Sequence, residues 1–239
     1  MPNNETKVVI LAGGKGTRFH PFSFVIPKPL MPIGQDPILL HLINQFKRDQ
    51  FKNFIVSTGY QAELVMAYFG NGQKFDVNIE YFHEDHPLGT AGPLSLIASK
   101  FKEDEYFFLV NGDVYTELSF KKMKDFAINN NLDIVVGCVE KTEKSSFGVL
   151  EINSSKIKGI IEKPESKFSI SSGIYVLNGR AASQIPFNEF FTMPDLINAY
   201  LKKGLSVGAY MISDFWMGIE NVENLDEVLK RTERIKNGQ

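Results

Sequence analysis

Three glycines within four positions, Gly13, Gly14 and Gly16, lie directly behind an apolar run, Lys7-Val8-Val9-Ile10-Leu11. The run reads as a short, fully buried strand. Residues without a Cβ let the backbone turn tightly and let a ligand lie on its N–H groups. Thr17 and Arg18 follow at once, adding a hydroxyl and a permanent cation with a planar fork of donors. Ten residues past Arg18 stands Lys28, between Pro27 and Pro29, on a backbone stiffened from both sides. Backbone amides, one Arg and one Lys converging after a buried strand describe a cradle for a polyphosphate. A plain turn would explain the glycines but gives no use for Arg18 or for the Pro27-Lys28-Pro29 triplet. Spacing excludes two other phosphate loops. The dinucleotide pattern G-x-G-x-x-G begun at Gly14 needs a glycine where Phe19 stands. The P-loop pattern fails because Gly16 is followed by Thr17.

A chain of 239 residues is long enough for one large α/β domain. A net charge of −2 gives no reason to expect nucleic acid or an anionic membrane as partner. A polyphosphate must therefore be held by local cations. No apolar run approaches the ~18 residues of a spanning helix. The N-terminal MPNNETK leads into no apolar segment long enough for a signal peptide. Cys138 is the single cysteine; in the run DIVVGCV it reads as a small core residue. With no internal disulfide to form, a cytoplasmic location is the default expectation.

The apolar runs alternate in kind along the chain. Asp36 and Pro37 read as the N-cap and first turn of a helix whose apolar face is Ile38, Leu42, Ile43 and Phe46. Strands are expected at Phe54–Thr58, Val77–Phe82 and Tyr106–Val110, with a helix from about Gln61 to Phe69 stopped by Gly70 and another at Pro93–Phe101. A helix near Leu118–Asn129 and a strand near Asp133–Val139 continue the pattern. The second half differs: short strands at Phe147–Asn153, Lys156–Glu162 and Gly173–Asn178 suggest antiparallel additions to the sheet. A helix at Met193–Lys203, a strand at Val207–Ser213 and a charged helix at Glu223–Arg234 complete the chain. This predicts an α/β fold, a mostly parallel, doubly wound, Rossmann-like sheet with antiparallel additions in its C-terminal half. No linker divides it, so a single domain over residues 1–239 is expected, in two halves of different character, to about 140 and from about 141. Ligands of such sheets sit at the carboxyl ends of the strands, where the glycine loop and Asn111-Gly112-Asp113 both fall.

The composite Gly13-Gly14-x-Gly16-Thr17-Arg18, Pro27-Lys28-Pro29 and Pro32-Ile33-Gly34 resembles the signature of sugar-1-phosphate nucleotidylyltransferases, closest to their guanylyltransferase branch. Members of that family join a nucleoside triphosphate to a sugar 1-phosphate and release pyrophosphate. The resemblance implies a nucleotide site built from Leu11, Ala12, Gly13, Gly14, Gly16, Thr17, Arg18, Lys28, Glu84, Gly89, Thr90 and Asp113. Arg18, Lys28, Asp113 and Lys163 would carry the chemistry, with Arg18 and Lys28 on the triphosphate. Asp113, ending a buried strand, suits Mg²⁺, which prefers hard carboxylate oxygens with phosphates and water. On the sugar side the resemblance points to Gly148, Glu162, Lys163, Ser171 with Gly173, and Trp216. Glu84 to Gly92 looks like the base-recognition loop. A carboxylate only accepts hydrogen bonds, and guanine presents two adjacent donors, so Glu84 predicts GTP over UTP or dTTP. His83 and His86 could tempt one toward a zinc site, but no further ligand spacing completes it.

One position departs from the pattern. Where the family carries a Trp-x-Asp-x-Gly-like segment whose Asp is a second metal ligand, this chain reads Trp216-Met217-Gly218-Ile219-Glu220. Gly218 removes that carboxylate, and Asp214 and Glu220 are the nearest substitutes. Two functions remain open: an enzyme transferring nucleotidyl groups, impaired by this loss, or a nucleotide or nucleotide-sugar binding protein with little or no turnover. The sequence does not name the sugar and leaves homo-oligomer formation open.

Overall fold

The computed structural model describes residues 2–236. Lys7–Leu11 is strand β1, with Val8, Val9 and Ile10 wholly buried in the middle of a seven-stranded sheet. Two short strands follow the glycine loop, β2 (Pro32–Ile33) and β3 (Asp36–Pro37), and lead into helix α1 (Ile38–Arg48). Asp36 and Pro37 are thus not a helical first turn, as their types suggest. The residue before a proline is driven to extended conformations, and Ile33 pairs with Asp36 in a small antiparallel ladder instead. The face of α1 formed by Ile38, Leu42, Ile43 and Phe46 is buried as its spacing requires.

Strand β4 (Asn53–Thr58), helix α2 (Ala62–Phe69), ended at Gly70, and strand β5 (Asn78–His83) keep the alternation. The helix expected at Pro93–Phe101 is absent. Two 3₁₀ turns, Gly92–Leu96 and Ala98–Lys100, occupy that stretch. A distant loop takes up the first turn group, the Gly92 N–H donating to Phe191 O at 2.8 Å, and within the turn the Ser95 hydroxyl donates to Gly92 O at 2.7 Å. Tertiary contacts override local propensity here.

Strands β6 (Tyr106–Asn111) and β7 (Val114–Thr116), helix α3 (Phe120–Asn129) and strand β8 (Ile134–Lys144) follow. Then come β9 (Val149–Asn153), β10 (Lys156–Ile161) and β11 (Glu165–Asn178), helices α4 (Gly179–Ala182) and α5 (Met193–Lys202), strands β12 (Val207–Met211) and β13 (Trp216–Gly218), and helix α6 (Val222–Lys236).

The main sheet has the order β12-β8-β11-β6-β1-β4-β5. Its neighbours are parallel except where β11 runs against β6 and β8. The mostly parallel α/β fold read from the alternation is therefore the observed one, with two differences in the second half. Strands β9 and β10 form a separate two-stranded sheet instead of extending the main one. Strand β11 begins at Glu165, eight residues before Gly173, because the β8–β11 ribbon continues past the sheet. Its outer part is laced by cross-strand ion pairs, Lys144–Glu165 at 3.1 Å and Lys167–Glu140 at 2.8 Å.

Apolar clusters fill both faces of the sheet. On one, Phe46 stacks on Phe120 with ring centres 3.6 Å apart, against Phe108 and Val56. On the other, Phe107, Leu109 and Leu177 meet Met193 and Leu196 of α5. A third cluster joins Phe19, Met31 and Ile33 to Ile219 and Val228, fastening the segment after the glycine loop to α6. Cys138 is half-buried, and burial pushes its thiol pKa up, as expected of a packing residue.

Candidate active site

Strand β1 has β4 on one side and β6 on the other, so the strand order reverses at its carboxyl end. Open α/β sheets place their ligand crevice at such a switch point. The glycine loop leaves β1 there, and the loop after β6 lies beside it, with the Gly112 N–H donating to Leu11 O at 2.9 Å. Gly16 has φ +60°, and a Cβ on it would come within 3.1 Å of Lys28 Cβ. A glycine at this position therefore both makes the left-handed turn and lets the lysine stem lie against the loop. Lys28 Nζ is 2.5 Å from Asp113 Oδ2 and 5.4 Å from the centre of the Phe19 ring.

A cavity of about 710 Å³ opens at this point. Leu11, Ala12, Gly13, Gly14 and Gly16 line it together with Lys28, Asp113, Glu84, Gly89 and Thr90. Segments remote in sequence thus meet around one volume. Glu84 is half-buried in it. Its Oε1 accepts the Ser57 hydroxyl, its Oε2 accepts the Leu88 N–H at 3.4 Å, and Oε1 is 3.2 Å from where a Gly13 Cβ would stand. A carboxylate has about four acceptor positions, so two remain for a ligand. Thr90 is committed in part to architecture: its hydroxyl oxygen accepts the Met193 N–H at the start of α5, at 2.8 Å.

Thr17 and Arg18 form a 3₁₀ turn outside the cavity lining. Arg18 Nη1 is 2.6 Å from Glu220 Oε2, with both side chains largely exposed. Gly148, Glu162, Lys163, Ser171 and Trp216 do not line the cavity either. Gly148 approaches Glu162, whose Oε2 would be 2.9 Å from an added Cβ, and Lys163 holds φ +48°, which non-glycine residues seldom adopt. The Ser171 hydroxyl is 2.8 Å from Tyr175 Oη, and the Trp216 indole N–H donates to Ser172 O at 2.9 Å. A Cβ on Gly173 would meet Asn111 Nδ2 at 2.5 Å, so β11 touches a residue of the cavity wall.

The sequence reading left out Gly59, Tyr60, Asn111 and Phe190, all of which line the cavity. Asn111 could have been found, since it opens the Asn-Gly-Asp turn after the most apolar strand. Tyr60 and Phe190 lie in loops brought to the site by tertiary packing alone.

Gly218 sits beside Asp113. It pairs with Val114, and the Ile219 N–H donates to Asp113 O at 2.8 Å. An added Cβ there would be 3.7 Å from the Trp216 ring, an ordinary contact, so the chain has room for a side chain it does not carry. Asp214 cannot replace the missing carboxylate. Trp216 pairs with Thr116, which puts Asp214 off the opposite end of the ladder from Asp113. Glu220 is engaged with Arg18. Among the described residues no group of three His, Cys, Asp or Glu is arranged to hold a metal. Mg²⁺ is bound by one or two carboxylates together with phosphates and water. Asp113 beside the phosphate loop fits that donor set for an ion brought largely by a nucleotide.

A family model described as nucleotidyl transferase matches residues 7–234. A mannose-1-phosphate guanylyltransferase of Mycobacterium tuberculosis is 28% identical over 229 residues, covering 94% of this chain and 64% of that protein. The chain thus spans under two thirds of that relative's length. Among solved structures, HddC from Yersinia pseudotuberculosis complexed with GMP-PN is 27% identical with a TM-score of 0.73, covering 95% of this chain and 99% of that one. A Bacillus anthracis chain assigned as a glucose-1-phosphate thymidylyltransferase is 25% identical with a TM-score of 0.76, covering 95% and 94%.

Proposed function

The chain belongs to the nucleotidyl transferase family, and on that premise we propose that it transfers a nucleotidyl group from GTP to a sugar 1-phosphate, releasing pyrophosphate. The observation that carries this reading is the single cavity where the glycine loop, Lys28, Asp113 and the Glu84 loop meet. Mannose 1-phosphate is the first acceptor to assay, given the guanylyltransferase relatives.

In the reaction an oxygen of the sugar phosphate attacks the α-phosphorus in line with the departing pyrophosphate. Little covalent work falls to the protein, so positioning and charge compensation carry the step. The backbone of Gly13 to Gly16 would cradle the phosphates. Lys28 would turn from Asp113 to the triphosphate, and Arg18 would close on its far end. Lys163 and Glu162 would hold the sugar phosphate and the sugar hydroxyls. Asp113 would hold a Mg²⁺ ion, which supplies neutralisation of the phosphate charge when bound. Glu84 would accept the two adjacent N–H groups of guanine.

Among its described residues the chain has no helix long and apolar enough to cross a membrane, and a cytoplasmic reaction is part of the proposal. Incubating the protein with GDP-mannose and pyrophosphate tests the assignment in reverse. Formation of GTP is expected; no nucleoside triphosphate from this or other nucleotide sugars, with GTP still bound, would make the chain a binding protein.

A further inference from the structure

Phe190 is a large apolar side chain of the cavity wall that remains 66% exposed. Its neighbour Phe191 packs into the core on the α5 face of the sheet, while Phe190 is left facing the cavity. The strand-like approach of this loop is fixed by backbone bonds. The Phe191 N–H donates to Leu88 O at 2.9 Å, and Phe191 O accepts the Ala91 and Gly92 N–H groups at 2.9 and 2.8 Å. Gly89 has φ +81°, and a Cβ there would lie 2.7 Å from Phe191 O and 3.4 Å from Phe190 Cε2. The ring therefore rests on the backbone of the same loop that carries Glu84, with no side chain between.

A ring this exposed gains little from the protein's own core. A planar ligand group would cover it, and the nucleoside end of a nucleotide is the part that the Glu84 loop faces. We propose that Phe190 is a nucleoside-binding residue, packing its ring on the base of the bound nucleoside triphosphate and favouring purines over pyrimidines through the larger stacked area. This deepens the nucleotidyl-transfer reading and rests on it.

Stacking of a base on an aromatic side chain corresponds to about fivefold to a hundredfold in affinity on truncation to alanine. The test is calorimetric titration of wild type, Phe190→Ala and Phe190→Tyr with GTP, UTP and inorganic tripolyphosphate, with thermal melts as a folding control. The expected result is a GTP Kd raised about tenfold in Phe190→Ala, a smaller change for UTP, unchanged tripolyphosphate binding and recovery in Phe190→Tyr. Equal GTP affinity in wild type and Phe190→Ala would overturn the proposal. So would equal losses for GTP and tripolyphosphate, which mark a collapsed loop. A folded wild type that binds tripolyphosphate but no nucleoside triphosphate would overturn the functional reading itself, and this proposal with it.

Discussion

Arg18 Nη1 lies 2.6 Å from Glu220 Oε2, joining the turn after the glycine loop to the segment after β13. The pair spans 202 positions of sequence and is held in register by the cluster of Phe19, Ile219 and Val228 beneath it. Both side chains are more than half exposed, so the pair adds little to stability. Its consequence is for ligands: the guanidinium that would grip a triphosphate is already neutralised. The chain carries no side chain at Gly218, where the family resemblance implies a carboxylate, and carries one at Glu220, two positions on, paired with Arg18.

Replacing Glu220 by Gln frees Arg18. The Kd for GTP is expected to fall several-fold, with the melting temperature nearly unchanged, as calorimetric titration and a thermal melt will show. Weaker GTP binding in that variant would mean that Glu220 serves the ligand or its metal, contrary to the geometry.

Restoring the carboxylate by Gly218→Asp is allowed by the structure. Gly218 is not among the residues with positive φ, and its Cβ position makes only ordinary contacts. Turnover is expected to rise, or the Mg²⁺ concentration for half-maximal rate to drop, in steady-state assays over a metal titration. No change in either would show that Asp113 with the nucleotide already suffices.

Asp113→Asn is nearly isosteric and keeps the backbone bonds around Gly112. It is expected to lower kcat by about a hundredfold or more, the range for loss of one charge-stabilising group, with an unchanged circular dichroism spectrum. Full activity would remove Asp113 from the reaction.

A stability prediction concerns acid. Arg231 grips Glu117 through both oxygens, at 2.7 and 2.8 Å, and holds its carboxyl below the usual glutamate range. A depressed folded-state pKa means the unfolded chain binds more protons in this window. The contribution is present above pH 4.5 and is lost as pH falls through the lower folded value. Glu117→Gln is therefore expected to unfold with a shallower acid dependence in urea titrations between about pH 6 and about pH 3, and an identical slope would contradict the coupling.

The glycine-loop end of the candidate site was legible in the sequence because its signals are local: three glycines after an apolar run, a lysine between prolines, an acid after the most apolar strand. Each depends on neighbours close in the chain, and the structure places all of them at one cavity. Arg18 shows the limit. Its position in the motif is clear, but its partner Glu220 is set by how α6 packs on Phe19, which no local pattern states. The 3₁₀ turn at Gly92–Leu96 escaped for the same reason, since the loop carrying Phe191 supplies the partner of its first N–H groups. Glu162 and Lys163 were legible as a strand-end motif, yet they lie outside the cavity lining, in the bend between β10 and β11.

The most direct measurement of the central claim is release of labelled pyrophosphate from γ-labelled GTP as sugar 1-phosphates are added one at a time. The expected result is sugar-dependent release with one acceptor, mannose 1-phosphate first among them, together with a matching GDP-sugar by mass spectrometry and loss of both in Asp113→Asn. GTP binding without pyrophosphate release for any acceptor, at any Mg²⁺ concentration, would contradict it.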